Sequence, residues 1–146
     1  MSETLKVGVV GCGAIAQHRH LPEYAANPNA EIVGILDFNK ERMEDLCELY
    51  SARPYASLEE VLADETVEAV SVCVPNYAHA ETTIQALRAG KHVLCEKPMA
   101  INPTQCRMMI DAAKASGKKL MIAQCLRFWP AYETLKRYVD SGEFGK

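Results

Sequence analysis

The chain has 146 residues, 49% hydrophobic and 24% charged, with a formal net charge of −3 at pH 7; these figures describe one globular domain able to bury a core and exclude a disordered chain. The mildly acidic balance, without a basic cluster, argues against a nucleic-acid partner and leaves small metabolites or proteins. No apolar stretch approaches the roughly twenty residues of a membrane span, and the N-terminus lacks the basic start and long apolar centre of a secretory signal, so the cytoplasm is the default expectation.

Residues 6–10 read as a first strand, and Gly11-Cys12-Gly13-Ala14-Ile15-Ala16 follows directly, opening a helix over 14–26. A second strand over 31–36 closes at Asp37, about twenty residues beyond Ala16. Strand, glycine turn, helix and an acid at the end of the next strand are the order of a dinucleotide-binding βαβ unit. Each residue type has a mechanical reason. Gly11 allows the tight turn, Gly13 lets the backbone approach a pyrophosphate, and small Ala16 lets the helix pack closely on the strand. The helix start then offers free N–H donors and a partial positive charge to an anion, with Cys12, Ala14 and Ile15 inside that turn. A glycine turn that merely links strand to helix would leave the placement of Asp37 to chance.

A helix over 39–50 carries Met43, Leu46, Leu49 and Tyr50 on one face. A short strand over 53–55 precedes Ser57 and Glu60, which have capping-box spacing and open a helix to 63. The valine-rich strand over 68–74 is apolar at consecutive positions, as a strand covered on both faces should be, and Pro75-Asn76 breaks it. A helix over 79–89 ends at Gly90, and a fifth strand spans 91–95. Asn102-Pro103, an N-cap followed by proline, opens a helix that stops near Gly117. A sixth strand spans 120–125; the last helix, 131–140, carries Tyr132, Leu135, Tyr138 and Val139 and ends at Gly142.

Regular alternation of strand and helix implies one α/β domain over 1–146, a Rossmann-type doubly wound parallel sheet in the order 3-2-1-4-5-6. In such a sheet the ligand lies outside the carboxyl ends of the strands, where the order reverses. Those ends are the glycine turn, Asp37, Pro75-Asn76 and Glu96-Lys97-Pro98. Pro75 and Asn76 should border a cofactor on the strand-four side. The carboxylate of Asp37 would accept from adenosine ribose hydroxyls and repel a 2′-phosphate, which favours NAD, while Lys40 and Arg42 keep NADP open.

The six cysteines contain no C-x-x-C pair, and with the four histidines they show no metal-ligand spacing, so no metal is expected. Cys12, at a helix N-terminus, has a reason for a lowered thiol pKa and for readier alkylation than the others. His79 more naturally anchors the helix start or neighbouring backbone than titrates in catalysis, and His18 and His20 are given no role.

The chain resembles, nearly end to end, the N-terminal half of the glucose-fructose oxidoreductase, inositol dehydrogenase and rhizopine catabolism family. The resemblance rests on the glycine turn with His20-Leu21-Pro22, on Asp37, on Val74-Pro75-Asn76-Tyr77-Ala78-His79, and above all on the run from Ala89 through Glu96-Lys97-Pro98; Arg127-Phe128-Trp129-Pro130 and Gly142-Glu143-Phe144-Gly145 also match. It implies NAD(P)-dependent exchange of a hydride with a sugar, inositol or related polyol. Lys97 is the implied catalytic residue, sharing in proton transfer or polarising the substrate oxygen beside a cationic ring that would depress its pKa. Glu96 would orient Lys97, contact the nicotinamide ribose or form a plain salt bridge. Members of the family continue into an open-faced β-sheet domain that supplies most substrate contacts, and the resemblance leads us to expect that domain to be absent here. A truncated or proteolytic fragment, inactive alone, is then expected ahead of a natural single-domain protein; a non-catalytic dinucleotide-binding or redox-sensing module is the alternative. The family pattern further suggests a cis Lys97–Pro98 peptide. Apolar side chains on the last helix, left partly exposed, should drive self-association into a homo-oligomer.

Overall fold

Side chains alternate across a strand, so a strand buried at every position must be covered on both faces. The first strand, Leu5–Val10 (β1), is buried from Val7 through Val10. In the computed structural model, which describes residues 4–145, it is joined by Ala30–Leu36 (β2), Arg53–Pro54 (β3), Ala69–Val72 (β4), His92–Cys95 (β5) and Leu120–Ile122 (β6). All six strands run parallel in the order β3-β2-β1-β4-β5-β6, the doubly wound order expected. The helices are Leu21–Ala26 (α1), Lys40–Tyr50 (α2), Leu58–Ala63 (α3), His79–Arg88 (α4), Pro103–Ser116 (α5) and Pro130–Ser141 (α6).

The two faces of the sheet carry separate cores. Val7, Val9, Ile32 and Ile35 pack with Leu21 of α1 and with Met43, Leu46 and Cys47 of α2. On the other face Val10, Val70, Val72 and Val93 pack with Val61 of α3, Ile84 and Leu87 of α4 and Met109 of α5. Helix starts follow the sequence signals: Asn39, Ser57 and Asn102 accept from the backbone N–H three residues on. The return bond expected at Ser57 differs, since the Glu60 carboxylate takes the N–H of Ala56 at 2.8 Å.

Three departures from the expected elements bear on the site. The first helix is not uniform: Ala16–His20 forms a π-helical turn, and the Leu21 N–H reaches back five residues to the Ala16 carbonyl. Pro22 has no N–H to continue an α-helical ladder, and the wider turn absorbs that break while leaving Ala16, His20 and Leu21 buried. The strands β4 and β6 are shorter than expected. Pairing with β5 stops at Cys95↔Ile122, just before the chain turns through Glu96-Lys97-Pro98, and Cys125–Phe128 closes into a 3-10 turn.

Only Thr134 among the residues of α6 is not exposed. Its apolar stripe of Tyr132, Leu135, Tyr138 and Val139 lies open, together with Phe128 and Trp129. No described helix is long and apolar enough to cross a membrane.

Candidate functional site

The carboxyl edge of the sheet gathers most of the residues singled out from sequence, beginning with the glycine turn. Gly11 has φ +89°, and a Cβ there would lie 2.7 Å from the carbonyl carbon and oxygen of Cys73, at the end of β4. The position therefore needs glycine twice over, for its left-handed backbone and for its approach to the neighbouring strand. Gly13 is the opposite case: a Cβ there would meet nothing within 4 Å. Gly11 keeps the turn folded, whereas Gly13 leaves an open approach to its backbone. Ala14 and Ile15 beside it are exposed.

Asp37 closes this cradle. Its Oδ2 accepts from the Cys12 N–H at 2.5 Å, while Oδ1 accepts from the Asn39 N–H at 2.7 Å and from Arg42 Nη2 at 2.6 Å. Burial opposes ionisation of this carboxyl, but the donors outweigh it and hold the pKa below its ordinary value. A carboxylate offers about four lone-pair sites, and with three engaged one is left for an incoming hydroxyl. The ion pair with Arg42 is not legible in the spacing alone. Neither is the full exposure of the Phe38 ring beside it.

Cys12 departs from expectation. Its side chain is fully buried, and burial, reinforced by the Asp37 charge, pushes the thiol up to about 12. The helix-start field that lowers an exposed thiol's pKa is overruled by the cost of placing a thiolate in the core. Cys12 thus serves the site through its backbone N–H.

At the end of β5 the Lys97–Pro98 peptide is cis. Lys97 is exposed and Glu96 buried. The Glu96 carboxylate folds back so that Oε2 accepts from the Lys97 N–H at 2.9 Å, and Oε1 lies 2.8 Å from His20 Nε2. Glu96 thus meets the backbone of Lys97 with one oxygen and the His20 ring with the other. His20, left without a role by the sequence, is buried here; its Nδ1 lies 3.0 Å from Ser71 Oγ, which also accepts from the Tyr24 hydroxyl at 3.1 Å. The available signals were a serine inside a valine strand and the spacing of Ala16, His20 and Tyr24 on one helix face. His18, by contrast, is exposed.

His79 stands as the backbone anchor that the sequence favoured. It is 1% exposed, with Nδ1 2.7 Å from the Pro98 carbonyl and Nε2 2.9 Å from the Val74 carbonyl. Both nitrogens face protein, so the ring ties the end of β4 to the turn after β5 and presents no group to a ligand. Pro75 and Asn76 lie exposed at the sheet edge between these two tethers. Among the described residues, no cluster of His, Cys, Asp or Glu could hold a metal ion.

The family profile described as "Oxidoreductase family, NAD-binding Rossmann fold" matches residues 5–124. The inositol 2-dehydrogenase of Salmonella typhimurium is 35% identical over 147 residues, covering 98% of this chain and 44% of that protein. Among solved structures, the WlbA dehydrogenase from Bordetella pertussis, in complex with NADH and UDP-GlcNAcA, superposes with a TM-score of 0.94 at 30% identity, covering 100% of this chain and 42% of that one. KijD10, a 3-ketoreductase from Actinomadura kijaniata in complex with NADP and TDP-benzene, gives a TM-score of 0.89 at 33% identity, covering 96% and 43%. The chain therefore spans less than half the length of these relatives.

Proposed function

This chain belongs to the oxidoreductase family with the NAD-binding Rossmann fold, and on that premise we propose that it is the cofactor-binding domain of an NAD(P)-dependent oxidoreductase acting on a sugar, inositol or related polyol. The observation that carries this reading is the single unit formed by the glycine turn and Asp37. The Cys12 N–H binds the carboxylate directly, and Gly13 faces open space. The residues fit a dinucleotide. Backbone N–H groups of the turn and helix start receive the pyrophosphate, Asp37 accepts from the adenosine ribose, and Phe38 offers an apolar surface for the base.

When bound, the nicotinamide supplies the acceptor or donor of the hydride. Lys97, exposed at the carboxyl end of β5 and held at its own N–H by Glu96, polarises the substrate oxygen or shares its proton. Pro75 and Asn76 border the same end of the cleft, with His79 fixing the backbone around them. The relative solved with UDP-GlcNAcA and the inositol 2-dehydrogenase support a sugar or inositol substrate for the parent activity. We expect these residues alone to bind dinucleotide without turnover, and the open stripe of α6 to pair with a second copy.

The carboxylate of Asp37 favours NAD, because a 2′-phosphate beside it would be repelled. Arg42 supports the second reading, NADP, since its guanidinium lies on that carboxylate and partly neutralises it. Titration calorimetry with both dinucleotides tests the assignment. Tighter binding of NAD is expected; equal or tighter binding of NADP overturns the preference, and binding of neither overturns the cofactor role.

A further inference from the structure

Four polar side chains meet under the turn that carries Lys97, in surroundings otherwise apolar. His20 and Glu96 are each 8% exposed and Ser71 is fully buried, with Tyr24 half-buried behind them. They come from α1 and its π-helical turn, from β4 and from the end of β5, and their contacts form one continuous chain. An ionised carboxylate only accepts, so at 2.8 Å from Glu96 Oε1 the His20 Nε2 is the donor. His20 Nδ1 lies 3.0 Å from Ser71 Oγ, and Ser71 Oγ accepts from Tyr24 at 3.1 Å. The contacts run without a break from Tyr24 through Ser71 and His20 to Glu96. The second Glu96 oxygen takes the Lys97 N–H, so the chain ends on the backbone of the residue assigned to chemistry.

A histidine, a serine and a glutamate in a core are costly unless each finds its partners, and apolar side chains would fill the same volume without that demand. The arrangement gains direction instead. Glu96 has a flexible side chain, and two donors on its two oxygens fix where Lys97 begins. The π-helical turn contributes by carrying His20 onto the buried face one residue before Leu21.

We propose that His20, backed by Ser71 and Tyr24, is a positioning residue for the nicotinamide end of the cleft. It holds Glu96, Glu96 holds Lys97, and the ordered turn receives the nicotinamide half of the dinucleotide without His20 touching it. This rests on the dinucleotide reading above. It separates the two halves of the site, since the adenosine half is built by Gly11, Cys12 and Asp37 and shares none of these hydrogen bonds.

The test is calorimetric titration of the chain with NADH and with ADP-ribose, which lacks the nicotinamide. His20→Leu should weaken NADH about tenfold while leaving ADP-ribose within twofold, and His20→Gln, which keeps a donor toward Glu96, should recover most of the loss. The emission shift of bound NADH, read at saturation, should fall in His20→Leu and return in His20→Gln. If His20→Leu does not fold, Tyr24→Phe and Ser71→Ala each remove one hydroxyl and should weaken NADH about threefold with ADP-ribose unchanged. Equal weakening of both ligands would make His20 a general structural residue and overturn the proposal, as would unchanged NADH binding. Failure of ADP-ribose to bind the unmodified chain would instead bring down the dinucleotide reading, and this inference with it.

Discussion

The backbone N–H of Cys12 donates to Oδ2 of Asp37 across 25 residues of sequence, at 2.5 Å. The acid proposed to select a ribose is therefore also a brace of the turn proposed to receive a pyrophosphate, and its substitution should act on both. Asp37→Ala should weaken NAD more than NADP, because it removes the ribose acceptor along with the charge that repels a 2′-phosphate. Calorimetry with both ligands gives the affinity ratio, and an unchanged ratio would refute the assigned role.

The two glycines of the turn should separate folding from binding. Gly11→Ala places a Cβ 2.7 Å from the Cys73 carbonyl at φ +89°, and a cost of about 2–4 kcal/mol is expected from left-handed backbone and steric strain together. Gly13→Ala meets no protein atom within 4 Å, so its denaturant midpoint should match the parent while NAD affinity falls. Loss of stability in Gly13→Ala, or a neutral Gly11→Ala, would contradict this division.

Stability should fall in acid through two carboxyls. The pKa of Asp37 is lowered as described, and Asp64 is held at about 2 by hydrogen bonds from Thr66 and Tyr55, with help from Arg53. A carboxyl whose folded pKa lies below its unfolded value contributes fully above the unfolded value, about 4 for aspartate. That contribution is lost as pH falls from there through the folded value, here between about 4 and 2. Melting temperature against pH should show the drop in that window, and Asp64→Asn should start lower at pH 7 and lose less in acid. A parallel curve for the variant would count against Asp64.

Thiol labelling should follow burial and ignore position in the glycine turn. Cys125 is exposed and Cys106 half-buried, while Cys12, Cys47, Cys73 and Cys95 are buried. Burial raises the thiol to about 12 at Cys12 and Cys73 and about 11 at Cys95. Iodoacetamide with peptide mass mapping should mark Cys125 first and Cys12 only after denaturant is added. Rapid native labelling of Cys12 would overturn the burial argument.

The stripe Tyr132, Leu135, Tyr138 and Val139, 47–65% exposed, should pair chains in solution. Sedimentation velocity across a concentration series should show a concentration-dependent dimer that Leu135→Lys dissolves. A monomer at high micromolar concentration would refute it.

How far the sequence reached depends on the range of each interaction. Strand order, the glycine turn, the acid after β2 and the proline-marked turn after β5 were all legible. Each is set by backbone geometry or hydrophobic period within a few residues, and the right-handed crossover leaves one arrangement of the parts. Tertiary structure decided which polar groups meet. His20 and Glu96 lie 76 residues apart, and His20 and Ser71 lie 51 apart, becoming neighbours only when β1 is laid beside β4 and β4 beside β5. The same burial reversed the expectation for the Cys12 thiol and decided which two carbonyls, those of Val74 and Pro98, the His79 ring meets. A side chain's solvation is a property of everything packed around it, and no local pattern carries that information.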